Sequence, residues 1–314
     1  MDTRYLVDPE LEQGLDLFPE LHITADKVLP IRESMNLMFA PVVEGPNPQN
    51  RQEIHIPGLN ADDPPIRCLL YKPNNLSSTV PAYLHFHGGG FFMGLPEMED
   101  ERNSRLAGAL GVIVLSVDYR LSPENTAPAA LNDALAGLKW LHENVRDLGV
   151  DRDRIAVGGE SAGAGLAAAL SQRVAPCDKY PICFQCLTYP PLDDRTGGEE
   201  QLSDPFTGEF VWTRENNRAV WAFYLGNAEP CAPYVPSRAT SFSDLPATWI
   251  GVGALDLLRE ENVCYAQNLW KAGIATELIV YPGAYHGFQL VADARVAKRY
   301  FEDHYSALKR ALFP

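Results

Sequence analysis

The amino-acid sequence predicts an α/β protein: a mostly parallel central sheet with helices on both faces. Three observations lead there. Short apolar runs suited to strands alternate with stretches whose apolar residues recur every three or four positions. Val112 to Val117 is a β-branched, apolar run of the kind buried on both faces of a sheet. Gly88 to Gly90, Ser161, Asp256 and His286 each follow a strand-like run directly, where parallel sheets collect functional groups at their carboxyl edge.

In chain order, Leu11 to Met38 suggests one or two amphipathic helices before the main fold. Pro41 to Asn50 reads as a linker, because Pro41, Gly45, Pro46 and Pro48 interrupt regular structure. Gln52 to Ile56 and Ile66 to Tyr71 are expected as strands joined by a turn near Gly58, an antiparallel start to the sheet. Val80 to Phe86 is a strand ending at His87-Gly88-Gly89-Gly90, and Glu99 to Leu110 a helix. After the strand Val112–Val117, Ala129 to Leu148 carries Leu131, Leu135, Leu138, Leu141, Val145 and Leu148 at helical spacing.

Next comes Ile155-Ala156-Val157, then Gly159-Glu160-Ser161-Ala162-Gly163, then an Ala- and Leu-rich stretch. That order predicts a strand turning sharply into a helix, with glycines on both sides of the turning residue to remove colliding Cβ atoms. Pro181 to Leu187 follows as a strand. Asp193 to Gly208 is polar and offers no obvious core positions. Thr213 to Leu225 is a helix carrying Val220, Trp221, Phe223 and Tyr224. Ala247 to Val252 is a strand, Glu260 to Ala272 a helix ended by Gly273, Thr276 to Tyr281 a strand, and Ala294 to Leu312 the closing helix.

Composition narrows the functional classes. The 314 residues carry a formal net charge of −15, which repels phosphate backbones and argues against nucleic-acid binding. The N-terminal residues lack an apolar signal core, and no run of about 18 apolar residues occurs, so no membrane span is expected and a cytoplasmic location is the simplest. Cys183-x-x-Cys186 has zinc-like spacing but no second pair to complete a tetrahedral site, and it falls in an apolar strand-like run. Free thiols and no metal are expected.

The residues at the strand ends suit one chemistry. A serine hydroxyl needs a base to become a nucleophile. Histidine can take the proton and return it, and a carboxylate must orient the imidazole. Ser161 sits in the sharp turn. Of the seven histidines, His286 alone lies in a Gly-flanked loop after a late strand. Asp256 is the preferred acid, with Glu260, Asp244, Asp193 and Asp194 as rivals. Gly88-Gly89-Gly90 and the Ala162 amide can present bare N–H groups to a developing oxyanion.

Together these motifs resemble the hormone-sensitive-lipase-like family of α/β-hydrolases. The resemblance spans about residues 80 to 290. It rests on His87-Gly88-Gly89-Gly90-Phe91, Asp118-Tyr119-Arg120-Leu121-Ser122-Pro123-Glu124, Gly159-Glu160-Ser161-Ala162-Gly163, Asp256-Leu257-Leu258-Arg259-Glu260-Glu261 and His286-Gly287-Phe288. The order Ser, Asp, His agrees with that fold. The resemblance implies an α/β-hydrolase fold. It also implies a serine carboxylesterase without metal or organic cofactor, acting on short- to medium-chain esters through an acyl-enzyme on Ser161. Gly89, Gly90 and Ala162 would be the oxyanion donors. Residues 1–45 and 191–230 would form a helical cap over a catalytic domain of residues 46–190 and 231–314; the oligomeric state stays open, a homodimer being one option by analogy. Glu160, Ala164 and Leu257 stand where the family more often has Asp, Gly and Pro. Asp118 and Arg120 are expected to pair and shape their loop. Acyl transfer, amidase or lactonase activity on the same residues remains open. A ligand receptor on this scaffold is disfavoured, because such receptors lose the histidine that this chain keeps.

Overall fold

The computed structural model describes residues 3–18, 21–43, 48–73, 79–177, 179–198 and 204–314. Besides short 3-10 turns, the N-terminal segment holds an α-helical turn, α1 (Pro9–Glu12), capped by the Asp8 carboxylate accepting from the Glu10 N–H at 2.8 Å. It then forms α2 (Val28–Val43). The expected linker from Pro41 is corrected here: the helix runs through Pro41, and residues 44–47 of that stretch lie outside the described residues. A proline in the last turn of a helix removes one amide donor but does not stop the turns before it.

The hairpin expected at the start of the sheet is present. β1 (Arg51–Ile56) pairs antiparallel with β2 (Ile66–Tyr71), Arg51 opposite Tyr71 and Ile56 opposite Ile66. Then come β3 (Val80–Phe86), α3 (Asp100–Leu110) and β4 (Ile113–Val117). The single helix expected from Ala129 to Leu148 is instead two, α4 (Ala129–Glu143) and α5 (Val145–Leu148). Asn144 breaks it, because its side-chain amide donates to the Trp140 carbonyl at 2.8 Å and competes with the helical ladder.

The remaining elements alternate as the sequence predicted. They are β5 (Val150–Glu160), α6 (Ala162–Val174), β6 (Phe184–Thr188), α7 (Arg214–Leu225), β7 (Ala247–Gly253), α8 (Arg259–Lys271), β8 (Thr276–Tyr281) and α9 (Arg295–Leu312). Thr213 caps α7, its hydroxyl accepting from the Asn216 N–H. The polar stretch from Asp193 is less external than its composition suggests: Asp193, Thr196 and Thr207 are buried.

Among the described residues the strands form one eight-stranded sheet, ordered β1-β2-β4-β3-β5-β6-β7-β8 and parallel from β4 to β8. Side chains alternate between two layers. Leu84, Ile113, Leu115, Ile155 and Val157 pack under α4, α6 and α8, while Tyr83, Val114 and Ala156 pack under α3 and α9. The chain passes from β3 outward to β4, then crosses back to β5 on the other side of β3. That reversal opens a crevice at the carboxyl ends of β3 and β5, where α/β sheets bind ligands. Register keeps those ends level: Phe86 lies opposite Gly159, Glu160 opposite Thr188, and Gly253 opposite Tyr281.

Candidate active site

Ser161 turns β5 into α6 with φ 50° and ψ −122°, a left-handed conformation unusual for a residue with a side chain. The turn is possible because the chain around it is bare. A Cβ on Gly159 would stand 2.1 Å from the Phe86 carbonyl oxygen, and one on Gly163 2.0 Å from the same atom. The two glycines flanking the serine thus let the end of β3 press against the elbow. The Ser161 amide donates to the Thr188 carbonyl at 2.9 Å, tying the turn to β6.

The three side chains the sequence singled out meet here. Ser161 Oγ lies 2.9 Å from His286 Nε2, 125 positions away in sequence. His286 Nδ1 lies 2.8 Å from Asp256 Oδ2, and the other carboxylate oxygen, Oδ1, accepts from the Leu258 amide at 2.9 Å. Asp256 is wholly buried; Ser161 and His286 are nearly so. The loops carrying the acid and the base are clasped together, the Leu255 amide donating to the Ala284 carbonyl at 2.9 Å and the Ala254 amide to Tyr281 at 2.9 Å. The rivals for the acid are elsewhere engaged. Asp193 pairs with Arg195, Asp194 with Arg238 and Glu260 with Arg259, while Asp244 is exposed.

The Gly88–Gly90 loop turns with Gly89 at φ 117°, Gly90 at φ 58° and Phe91 at φ 59°. Its peptide planes are held from behind. The Gly88 carbonyl accepts from His87 Nδ1 at 2.7 Å, and the Gly89 carbonyl accepts from the Phe92 and Met93 amides at 3.2 and 3.0 Å. In a planar trans peptide the following N–H points the opposite way. The Gly89 and Gly90 amides are therefore turned away from those bonds. The His87 ring is stacked on Tyr119 at 4.3 Å, the Tyr119 hydroxyl donates to the His87 carbonyl, and burial pushes the imidazole's pKa down, so the ring is neutral.

Aromatic rings close over this crevice. Trp212 stacks on His286 with ring centres 5.6 Å apart, and its ring edge lies 2.9 Å from where a Cβ on Gly90 would stand. The Trp212 indole donates to Asn217 on α7. Tyr189, at φ 36°, also packs against the His286 ring, with centres 4.5 Å apart. Tyr224 of α7 stacks on Phe91 at 4.2 Å. The N-terminal segment reaches the same region, as Asn216 bonds the Ile23 amide and the Leu21 carbonyl.

Glu160 was legible only as a departure from the commoner aspartate. It is buried on the face of β5 away from Ser161, and it meets Arg102 of α3 and His85 Nε2, the latter at 3.0 Å. His85 Nδ1 completes the set with Ser116 and Asn103. Burial would raise the Glu160 carboxyl, but Arg102 and His85 outweigh it and hold it well below the usual carboxylate range. Glu99, 3.4 Å from Arg102, is instead pushed up to about 7 by burial with Glu160 nearby.

One expectation at the site needs correction. Asp118 and Arg120 do not pair: Asp118 meets Arg67 at 3.0 Å, while Arg120 grips the buried Asp133 and also Asp63. Each finds its partner on a different element, Asp118 on β2 and Arg120 on α4. His142 on α4 is half-buried, with Nε2 3.1 Å from the Pro181 carbonyl. Of the other histidines, His22 and His55 are exposed, and His85, His87 and His304 are buried away from Ser161 Oγ. All six cysteines are free thiols, and burial raises those of Cys183 and Cys186. Among the described residues no helix is long and apolar enough to cross a membrane.

Known proteins share this fold and much of this sequence. Residues 83–290 match the family described by its alpha/beta hydrolase fold. The esterase LipI of Mycobacterium tuberculosis is 33% identical over 91% of this chain and 89% of its own. The carboxylesterase NlhH of the same organism is 34% identical over 98% of this chain and 96% of its own. A bacterial heroin esterase superposes with a TM-score of 0.91 at 35% identity, covering 100% of both chains. The chain belongs to the α/β-hydrolases, and among them to the hormone-sensitive-lipase-like carboxylesterases.

Proposed function

We propose that this carboxylic ester hydrolase works through Ser161 as nucleophile, His286 as general base and acid, and Asp256 as the group that orients and stabilises the imidazolium. The observation that carries the proposal is the continuous chain from Ser161 Oγ to His286 Nε2 at 2.9 Å and from His286 Nδ1 to Asp256 at 2.8 Å. Ser161 Oγ attacks the ester carbonyl carbon as its proton passes to His286 Nε2. Negative charge moves onto the carbonyl oxygen, where the Gly89, Gly90 and Ala162 amides receive it; Gly88 supplies the carbonyl that sets the Gly89 plane. Each such donor is worth about 100- to 1,000-fold in kcat. The intermediate collapses, His286 protonates the departing alcohol, and water repeats the sequence on the acyl-enzyme to release the acid and free Ser161.

Residues 1–45 and 191–230 are proposed to act as a cap that shapes the substrate pocket. The aromatic rings drawn from 191–230, Trp212 above all, favour short to medium acyl chains by filling space beside Gly90 and His286. Six free cysteines suit a reducing, cytoplasmic setting. The edge of β8, with Val280 and nearby Trp270 exposed, is where a second copy would pair.

Ser161→Ala tests the assignment. Turnover of p-nitrophenyl acetate and butyrate is expected to vanish while the circular dichroism spectrum and melting temperature are kept. Near-normal turnover by a folded variant removes Ser161 from the mechanism.

A further inference from the structure

We infer that Arg32, on the N-terminal helix α2, is a positioning residue that sets the orientation of the Gly90 amide through a relay of peptide planes. The inference rests on the assignment of Gly90 as an oxyanion donor. Arg32 is far from Ser161 in sequence and belongs to none of the family motifs. Its guanidinium nevertheless reaches three acceptors behind the oxyanion turn. Nε donates to the Phe92 carbonyl, Nη2 to the Ser122 carbonyl at 2.6 Å, and Nη1 and Nη2 to the two oxygens of Glu124 at 2.7 Å each. The planar fork of arginine matches such a set, which a lysine's single ammonium cannot.

The consequence follows from peptide planarity. With the Phe92 carbonyl held by Arg32, the Met93 N–H in the same plane points the other way, and it donates to the Gly89 carbonyl at 3.0 Å. Ser122, whose own carbonyl Arg32 grips, binds the Phe91 carbonyl through its amide at 2.9 Å and its hydroxyl at 3.1 Å. That fixes the Phe91–Phe92 plane, whose N–H is the second donor to the Gly89 carbonyl, at 3.2 Å. Both amides that hold the Gly89 carbonyl are thus secured by Arg32, one directly and one through Ser122. The Gly89 carbonyl in turn sets the direction of the Gly90 N–H. Phe91 at φ 59° is a conformation that a residue with a side chain keeps only under such restraint from outside the turn. Glu124 is half-exposed and anchors the guanidinium without touching the turn.

The test compares Arg32→Ala, Arg32→Lys and Glu124→Gln, using p-nitrophenyl butyrate and a trifluoromethyl ketone that forms a serine hemiketal. Arg32→Ala is expected to lower kcat by about 10- to 100-fold with KM changed by less than about threefold, as for a small misplacement of a group acting in the transition state. It should weaken the ketone by a similar factor. Ethylguanidine added to Arg32→Ala should restore part of kcat, whereas ethylamine should not. Arg32→Lys should fall between Arg32→Ala and the parent, and Glu124→Gln should stay close to the parent. The inference is overturned if kcat of Arg32→Ala is unchanged, if Glu124→Gln loses as much, or if ethylguanidine restores nothing. A parent enzyme that does not bind the ketone tightly would instead overturn the oxyanion assignment itself, a different failure from tight binding that Arg32→Ala leaves intact.

Discussion

Replacing Glu160 by glutamine removes the negative charge that neutralises Arg102 beneath the Ser161 turn. Both side chains are buried, with 3% and 12% of their surface exposed, so the cation left behind cannot recover its solvation from water. Breaking a buried ion pair from one side costs about 3–5 kcal/mol. Two features place this case at the lower end. Glutamine keeps one acceptor oxygen for Arg102, and its NH2 can donate to His85 Nε2 in the other tautomer. Glu99, 3.4 Å from Arg102 and now pushed up to about 7, would lose the nearby like charge and ionise more readily. A loss of about 3 kcal/mol, spread over an unfolding entropy of roughly 2.1 cal/mol/K per residue, lowers the melting temperature by about 4–5 °C. Scanning calorimetry at pH 7.5 measures it. Glu160→Gln/Arg102→Met should be less destabilised than the sum of its two single changes, because the orphaned charge is gone. A melting temperature for Glu160→Gln within 1 °C of the parent, or strict additivity in the double variant, would refute the view that charge neutralisation anchors the elbow.

Two further outcomes are expected. Trp212→Leu should raise kcat/KM for branched or longer p-nitrophenyl esters relative to the acetate, since the indole fills the space between Gly90 and the His286 ring; an unchanged ratio across the ester series would show that this ring does not bound the pocket. His304 is pushed down to about 3 by burial, reinforced by Arg102, so it stays neutral in the folded protein while the unfolded chain takes up a proton below about pH 6.5. Its contribution is therefore full above that pH and is lost as pH falls toward 3. His304→Phe should gain on the parent by on the order of 1 kcal/mol, or about 1.5 °C, per pH unit between 6.5 and 5. A melting-temperature difference that stays constant over that range would remove His304 from the acid response.

What could be seen in the sequence, and what could not, divides along a physical line. Ser161, Asp256 and His286 were legible because each stands in a short turn directly after a strand, and a parallel sheet brings the carboxyl ends of its strands to one rim whatever lies between them. Gly159 and Gly163 carried a steric message of the same local kind. Asn144 was misjudged because apolar spacing in Ala129–Leu148 is blind to one side chain that caps the helix early. Arg32, Glu160 and Trp212 act through partners 60 to 92 residues away, through a charge on another helix, and from an irregular segment without periodicity. Nothing in the spacing of those residues marks their targets. One general signal was nonetheless present: Glu160 ends the apolar run Ile155–Gly159 of β5, and a carboxylate in such a place must have a buried cation, which leaves the arginines of the covering helix as the candidates. The reactive groups are thus written locally and read from turns, whereas the contacts that hold them in register are written in the tertiary fold. Substitution of Arg32 should for that reason alter rate while leaving every motif of the family intact, and substitution of Glu160 should alter stability while leaving the serine and both glycines of its turn in place.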